Sequence, residues 1–546
     1  MSNVVATNYG KVQGVTINSA LDVNYTAFYG IPYAKPPVGR LRFKDPRTPE
    51  RWEGIYDASK EKLCCIGRDS YLKKIVGSED CLHLNIYTKN VSSRKSLPVM
   101  VYFFGGAFQT GSTSTDLYSP DYLLMADVIV VMLSFRFGPL GFMSFKDETL
   151  KITGNACLKD QLMGLQYVKH NIEYFGGDAN NITLFGHSSG AMSINLLSAN
   201  EQAKGLFNRA IIMSDFILKD SYLTQREQNW ALRLAMKLGY SGNDEDKDVL
   251  EFLQNADPIR MVEEQNNLIL PEESKRTQFA FKPNLETYFN ELASKSPIEM
   301  TREAWGNDID MIFGCVSDEG LNQLTYINRN PQMITKLDLK DKIPTDLNLN
   351  LDDDQSRSKF AEQLQTFYFP NINPNDVESE ETKNGFCRLV ADKELLLPLS
   401  RSIRSRQNSS GKGKTYFYRF AFDSPTMNTF RTQRNRPNAR GVDHADNLSY
   451  IFKHNYGPIC EKDSKEFSVI KNYISFLTSF ATTGSPNDDV AQIATGNVIL
   501  WKEVDSKTPP FKCLNISETI EFKDNPDTDR IALWEEMYTE TNTPLY

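Results

Sequence analysis

The chain has 546 residues, of which 40% are hydrophobic, 11% aromatic and 24% charged. These proportions are ordinary for a globular protein and exclude a disordered, collagen-like or coiled-coil chain. The formal net charge of −9 comes from 61 basic and 70 acidic side chains. An acidic chain of this kind is not expected to be a dedicated binder of nucleic acid or of anionic membranes.

The sequence predicts a cytoplasmic protein without a membrane span. The first residues after Met1 contain neither a basic segment nor an apolar signal segment. The longest apolar stretches, 99–104 and 128–133, are far too short to cross a bilayer. Eight cysteines are too few for a disulfide-dense secreted scaffold. A secreted protein whose leader is missing from this chain would look the same, and triplets such as Asn24-Tyr25-Thr26 would then be glycosylation acceptors.

Hydrophobic runs alternate with helical patterns through the first half of the chain. Continuous, β-branched runs typical of buried strands occupy 97–104, 127–133, 182–185 and 209–213. A helical pattern over 160–174 ends at Phe175-Gly176-Gly177-Asp178. This succession predicts an α/β fold with a mostly parallel, doubly wound sheet and helices on both faces.

The second half is predicted to consist mainly of large helical excursions. The predicted helices are 225–238, 247–253, 359–367 and 384–406. They are separated by an acidic break at 349–356 and a Gly/Ser/Lys-rich loop at 407–414. A short basic run, expected to be a solvated loop, contains Arg431, Arg434, Arg436 and Arg440. No stretch resembles an interdomain linker, so we expect one elaborated domain over residues 1–546.

Gly186-His187-Ser188-Ser189-Gly190 matches the nucleophile-elbow pattern G-x-S-x-G. The pattern alone is weak, but it follows the buried strand 182–185 and precedes the helix-compatible run 191–197. Its glycines suit a strained strand-to-helix turn that exposes the serine oxygen above the sheet. This context predicts that Ser188 is a nucleophile.

A nucleophilic serine needs a base, and the chain contains only five histidines. In the fold implied by the elbow, the acid and then the histidine follow the serine, which leaves His444 and His454. His454 is expected at the surface, whereas His444 lies in the loop-like stretch Gly441-Val442-Asp443-His444-Ala445-Asp446. We therefore predict that His444 is the base. His187, although adjacent to Ser188, is expected to sit within the strained elbow and to point elsewhere, so we interpret it as a neighbour and not as the base.

The acid and the oxyanion hole are expected at the ends of two further strands. Asp318 and Glu319 follow the predicted strand 311–314, at the edge where doubly wound folds place their sites. The residue pattern alone does not separate these two carboxylates. Strand 99–104 leads into Gly105-Gly106-Ala107-Phe108, whose backbone N–H groups, together with that of Ser189, are expected to form an oxyanion hole.

In this order, these residues resemble the type-B carboxylesterase/cholinesterase family of α/β-hydrolases, over nearly the whole chain. The supporting stretches include Phe28-Tyr29-Gly30-Ile31-Pro32-Tyr33-Ala34-Lys35-Pro36-Pro37, Ser78-Glu79-Asp80-Cys81-Leu82 and Gly154-Asn155-Ala156-Cys157-Leu158-Lys159-Asp160-Gln161. Within the family the chain is most similar to intracellular insect α-esterases, as judged from Thr301-Arg302-Glu303-Ala304-Trp305-Gly306-Asn307 and Lys512-Cys513-Leu514-Asn515-Ile516-Ser517.

The resemblance implies an α/β-hydrolase fold and a serine carboxylic-ester hydrolase that acts through an acyl-serine on apolar, xenobiotic or lipid-like esters. It makes Ser188 the nucleophile, Glu319 the acid and His444 the base. It assigns the oxyanion hole to Gly106, Ala107 and Ser189. The expected partner is a small-molecule ester. No cofactor or metal is implied, and the oligomeric state is left open.

Some positions depart from the family pattern. The departing residues are Phe104, Ala107, Cys157, Ser189, Asp215 and Asn447. None removes a triad member or a backbone N–H. The family's first disulfide would join Cys64 or Cys65 to Cys81, although in a reducing cytosol we expect free thiols. Residues 69–77 lack the choline-stacking tryptophan of cholinesterases, so choline esters are not expected as substrates.

Two other functions fit the same residues. The first is a catalytically impaired, esterase-like binding protein that sequesters esters or organophosphates. Family members of that kind commonly lose the serine, which this chain keeps as Ser188. The second is a serine peptidase or lipase, which would use the same triad and is disfavoured only by the family resemblance.

Overall fold

The computed structural model shows an α/β protein built around one large sheet. It describes residues 3–19, 21–69, 73–91, 95–219, 229–270, 273, 279–284, 295–349, 353–434, 439–455, 457–458, 460–487, 499–505 and 511–546.

The strands are numbered in chain order. They are β1 Val4–Thr7, β2 Gly10–Gln13, β3 Val15–Asn18, β4 Asn24–Pro32, β5 Ile55–Asp57, β6 Gly67–Arg68, β7 Ile75–Val76, β8 His83–Thr88, β9 Leu97–Phe103, β10 Ile129–Leu133, β11 Gly177–His187, β12 Arg209–Met213, β13 Asp310–Val316, β14 Thr415–Phe420, β15 Lys512–Ile516 and β16 Ile520–Asp524.

The α-helices are numbered in the same way. They are α1 Thr115–Tyr118, α2 Gly138–Phe142, α3 Ala156–Asn171, α4 Ser189–Ala199, α5 Trp230–Lys237, α6 Asp246–Asn255, α7 Pro258–Glu264, α8 Pro297–Arg302, α9 Gln323–Arg329, α10 Gln332–Thr335, α11 Asp354–Tyr368, α12 Glu380–Ala391, α13 Leu397–Gln407, α14 Thr429–Gln433, α15 Lys465–Thr483 and α16 Thr528–Glu540.

Over the residues that the structure describes, the main sheet has eleven strands in the order β16-β15-β14-β13-β12-β11-β9-β10-β8-β4-β3. The pairs from β10 through β9, β11, β12, β13 and β14 to β15 are all parallel, and the antiparallel pairs lie at the two sides of the sheet. The central strands are continuously buried, as their β-branched sequences predict. The mostly parallel sheet with large helical excursions is that of an α/β-hydrolase.

The helical excursions differ from the prediction in one place. The helix predicted over 384–406 is interrupted: α12 ends at Ala391, a π-helical turn covers Asp392–Leu396, and α13 begins at Leu397. Pro398 has no N–H to donate to the preceding turn, so a regular α-helix cannot run through this point. Part of the helix predicted from residue 225 lies outside the described residues, and α5 covers the rest.

Apolar side chains form two buried clusters. The larger surrounds the main sheet, and the smaller gathers side chains of the helical segments between Ile327 and Leu397 with Trp534, Met537 and Tyr538 of α16. Within the described ranges, no helix has the length and apolar character that a membrane span requires.

Cys65 forms a disulfide bond with Cys81, so the expectation of free thiols at these two positions is wrong for this structure. The fold brings the two Cα atoms to 4.9 Å because Cys65 pairs with Ser78 in a short bridge next to Cys81. That separation suits a disulfide. Cys64, the other candidate, is a thiol that accepts a hydrogen bond from the Thr113 N–H.

Candidate active site

Ser188 lies in the turn between β11 and α4. Its φ of 54° and ψ of −130° fall in a region that a residue with a Cβ rarely adopts. The surrounding structure stabilises this conformation, since the Ser188 N–H donates to the Met213 carbonyl on β12 at 2.8 Å. Strained backbone of this kind concentrates at functional sites.

The glycines on both sides of Ser188 allow α4 to pack closely against the sheet. A Cβ added at Gly190 would lie 2.1 Å from the Phe103 carbonyl oxygen at the end of β9. A Cβ at Gly186 would lie 2.9 Å from the carbonyl carbon of Gly190. The two glycines of the sequence pattern are therefore required by contacts within the turn.

His444 and Glu319 are in direct contact. The His444 Nδ1 atom lies 2.6 Å from the Glu319 Oε2 atom, and the Glu319 side chain is only 1% exposed. The second carboxylate oxygen of Glu319 accepts the Val316 N–H at 3.0 Å. Both oxygens of this buried carboxylate therefore have partners, which offsets the cost of its desolvation.

The two carboxylates that the residue pattern left unseparated have different contacts. Asp318 Oδ2 accepts the Val442 N–H at 3.2 Å and the Ser317 hydroxyl at 2.5 Å. Asp318 therefore joins the end of β13 to the segment that carries His444. Glu319, rather than Asp318, lies against the imidazole.

Arg434 fixes the backbone around His444. Its guanidinium donates to Asp443 Oδ2 at 2.6 Å and to the His444 carbonyl at 2.9 Å. Arg431 is buried and donates to Asp423 at 2.6 Å and to the Gly441 carbonyl. The expectation that this basic run is simply solvated is therefore wrong for Arg431 and Arg434, which pair with carboxylates and carbonyls of neighbouring loops.

The other residues of the basic run have different placements. Arg440 is exposed at its side chain, and Arg436 lies outside the described residues.

The structure also places two of the other histidines. The ring centroid of His187 lies 4.6 Å from that of His444, and the His187 side chain is buried. His454 is buried, although it was expected at the surface. It packs edge-on against Phe430, and burial lowers its pKa to about 4. The run 448–453 that precedes His454 packs into the core around Tyr450 and Phe452, which explains its burial.

The loop after β9 lies beside the elbow. A Cβ added at Gly105 would be 2.9 Å from the Ser188 Cβ, which shows how closely the two segments approach. Gly106, Ala107 and Phe108 all have positive φ values. Among the described residues, no protein acceptor takes the N–H of Gly106 or Ala107. The N–H of Ser189, in the first turn of α4, likewise has no intrahelical partner.

The residues that depart from the family pattern occupy defined contacts. Phe104 stacks on Phe135 with ring centroids 4.1 Å apart, and Asp215 pairs with Lys219 at 2.6 Å. The buried Asn447 amide lies 3.4 Å from the Tyr473 hydroxyl.

Among the described residues, no group of three or more His, Cys, Asp and Glu side chains is placed to bind a metal.

Sequence reasoning missed the role of Arg434 in fixing the His444 backbone and the contact of His187 with His444. Arg434 stands ten positions before His444 in a run whose charges look solvated. His187 is next to Ser188 in the chain, but only the fold brings a loop from residue 444 against it. Neither contact has a periodic or motif signal.

The comparisons with known proteins agree with this architecture. A model of the carboxylesterase family matches residues 1–534. Esterase B1 of Culex pipiens is 36% identical over 542 residues, covering 98% of each chain. The juvenile hormone esterase of Tribolium castaneum is 30% identical over 563 residues, covering 99% of this chain and 95% of the relative.

A solved structure is similar over the same length. The crystal structure of juvenile hormone esterase from Manduca sexta, with OTFP covalently attached, superposes with a TM-score of 0.83 at 26% identity. It covers 99% of this chain and all of that chain. With its fold and elbow, the protein is an α/β-hydrolase of the serine esterase class.

The chain therefore belongs to the carboxylesterase family. The predicted resemblance, including the similarity to insect esterases, is confirmed, and so is the expectation of a serine carboxylic-ester hydrolase.

The buried carboxylate of Asp446, two residues after His444, makes the stability of the protein sensitive to pH. Burial and the neighbouring Asp443 raise the pKa of Asp446 to about 7, whereas an aspartate in an unfolded chain ionises near pH ~3.9. Between these values the folded chain keeps a proton that the unfolded chain has released. The free energy of unfolding contributed by Asp446 therefore falls as pH rises from about 4 to about 7.

We expect Asp446→Asn to make the melting temperature less dependent on pH between about pH 4 and pH 7. Asparagine keeps one oxygen that can accept the Arg431 or the Asp443 N–H group, and it has no proton to release in this range. Thermal unfolding across this range measures the slope. The exposed Asp244→Asn is the control and should keep the wild-type slope, and an unchanged slope in Asp446→Asn would contradict the assignment.

Proposed function

We propose that Ser188, His444 and Glu319 form the catalytic triad of this esterase. The observation that carries the proposal is the buried contact between His444 Nδ1 and Glu319 Oε2 at 2.6 Å, beside a strained Ser188. The packing of His187 against His444 supports the proximity of the imidazole to the elbow, because His187 precedes Ser188 directly. The family model over residues 1–534 supports one catalytic unit that spans the chain.

In the first step, the Ser188 oxygen attacks the ester carbonyl while His444 Nε2 accepts the serine proton. Glu319 stabilises the resulting imidazolium and keeps the proton on Nδ1. The tetrahedral intermediate collapses, and the alcohol leaves with the proton that His444 returns to it. Water, deprotonated by His444, then attacks the acyl-serine and releases the acid.

The oxyanion is proposed to bind the N–H groups of Gly106, Ala107 and Ser189. The close approach of Gly105 to Ser188 supports this, because it brings the loop after β9 next to the reacting oxygen. Each such donor is worth about 3 kcal/mol to the transition state. Ala107 stands where the family pattern has glycine, and alanine has the same backbone N–H, so the donor is retained.

The proposed substrates are small apolar esters, of xenobiotic or lipid-like character. Phe108 follows the proposed hole and packs edge-on against Phe142 with ring centroids 5.2 Å apart, which supports an apolar surface at the site. The cytoplasmic location expected from the sequence stays a prediction. It requires that the bond between Cys65 and Cys81 be reduced in the cell.

Replacement of the nucleophile tests the triad directly. We expect Ser188→Ala to lower kcat for p-nitrophenyl acetate by about 10⁴–10⁶-fold, because the attacking oxygen is lost. A fluorophosphonate probe should label Ser188 in the wild type, as found by peptide mapping, and should label nothing in the variant. Ser198→Ala, on the same helix, is the matched control and should keep labelling and turnover.

Any result that differs from this expectation contradicts part of the proposal. Near-normal turnover in Ser188→Ala would mean that another residue is the nucleophile. Labelling without turnover in the wild type would favour the protein that sequesters organophosphates. Absence of any label would favour a binding protein without a reactive serine.

The acid is tested by an isosteric pair of variants. We expect Glu319→Gln to lower kcat by about 10⁴-fold, because the amide disfavours the tautomer of His444 that accepts the serine proton. Asp318→Asn removes the neighbouring carboxylate and should lower kcat far less, while it weakens the contact with Val442. Steady-state kinetics on both variants decides. A larger loss in Asp318→Asn would assign the acid to that residue instead.

The substrate class is tested by a pair of esters that match in shape and differ in charge. We expect turnover of the neutral 3,3-dimethylbutyl acetate and much slower turnover of acetylcholine, which has the same shape but a quaternary ammonium. Residues 69–77 contain no tryptophan to stabilise that cation through its ring face. Release of acetate, followed by titration, measures both. Equal or faster hydrolysis of acetylcholine would contradict the proposed preference.

A further inference from the structure

His187 packs beside the loop after β9 and the imidazole of His444. A Cβ added at Gly105 would lie 3.2 Å from the His187 Nδ1 atom and 2.6 Å from its carbonyl oxygen. The His187 ring centroid also lies 4.6 Å from that of His444, with the planes inclined at 51°. The His187 ring is therefore close to both the proposed oxyanion loop and the proposed base.

The two polar contacts of His444 do not by themselves fix the tilt of its ring. Glu319 contacts the Nδ1 atom, and Arg434 contacts the backbone carbonyl. The His187 ring packs against the imidazole itself, where it can restrict that tilt.

We propose that His187 is a positioning residue whose ring sets the spacing between His444 and the oxyanion loop. The inference rests on the proposed function and goes beyond it, because it assigns a role to a side chain outside the triad and the hole. Proton transfer requires the base to lie within about 2.6–3.2 Å of the serine oxygen. A displacement of about 1 Å costs about 100-fold in rate.

The ring performs this role as a neutral group. His187 is 2% exposed, and among the described residues no hydrogen-bond partner contacts its Nε2 atom. Burial, His444 and then Arg434 hold the pKa of His187 well below its ordinary value. The side chain therefore stays uncharged when His444 becomes an imidazolium, and it does not compete for the proton.

The charged groups around the pair are accounted for by other contacts. Glu319 faces His444 from the end of β13, and the charge of Lys219 interacts with that of Glu319. Arg434 faces both histidines and is paired with Asp443, which in turn lies next to Asp446. His187 therefore contributes to the position of His444 through the bulk of its ring and not through a charge.

Three variants at this position separate bulk from polarity. We expect His187→Ala to lower kcat for p-nitrophenyl acetate by about 100-fold with little change in KM, because the imidazole of His444 loses its support. His187→Phe keeps a ring and should recover most of this loss. His187→Gln keeps polarity without a ring and should stay slow. If His187→Ala does not fold, the comparison of Phe with Gln decides.

Two further measurements separate positioning from a general loss of stability. The pH dependence of kcat/KM should be the same in His187→Phe and in the wild type, since the pKa of His187 is held well below its ordinary value and phenylalanine has no ionisable group. His454→Ala is the matched control: it removes another buried histidine that packs on an aromatic ring, and it should lower the melting temperature while kcat is kept.

Either of two results would overturn the proposal. Wild-type kcat in His187→Ala would show that the ring has no positioning role. A loss in His187→Phe as large as or larger than that in His187→Gln would show that the bulk of the ring does not restore the rate. Labelling of Ser188 by the fluorophosphonate probe in the wild type distinguishes both results from a failure of the proposed function.

Discussion

The contact between Glu319 and His444 joins two segments that are 125 positions apart in the chain. Removing either partner would leave a buried polar group without its hydrogen bond, which is far more costly than losing an exposed pair. Neighbouring hydrogen bonds stabilise this contact. The Val316 N–H donates to the second oxygen of Glu319, and Arg434 donates to the carbonyl of His444. The geometry of the site depends on a carboxylate that the fold has removed from water.

The parallel sheet explains why distant residues meet at this contact. β9, β11, β12 and β13 are hydrogen-bonded neighbours that run in the same direction. The carboxyl ends of parallel strands lie at one edge, so the loop after β9, the elbow after β11 and the turn after β13 converge there. His444 lies in the longer segment that follows β14, the parallel neighbour of β13, and the bridge between Asp318 and Asp443 holds that segment at the same edge.

The fold was largely predictable because its central strands are buried on both faces. Runs such as 209–213 are continuous and β-branched, and the structure gives a strand with these same bounds. The elbow was predictable as well, since its glycines meet steric demands that appear in the sequence as a fixed spacing. Both signals are local, which is why a single sequence contains them.

The parts that could not be predicted depend on contacts between distant segments. Asp318 and Glu319 are adjacent and chemically alike, and only the turn after β13 decides which one meets the imidazole. Arg434 looks like a surface charge until its partners from the 441–446 segment are in place. Cys65 bonds with Cys81 in the structure, whereas the redox argument from composition predicted thiols.

The last helix completes the smaller apolar cluster, and this has a consequence for the order of assembly. Trp534 of α16 donates to the Tyr368 hydroxyl at 2.8 Å, and Tyr538 donates to Asp346 at 2.6 Å. A ribosome makes the chain from its amino end, so the apolar faces of α11 and α12 stay uncovered until α16 has been synthesised. A nascent chain that stalled shortly before residue 528 would have the strands of the main sheet but would leave the apolar faces of α11 and α12 exposed.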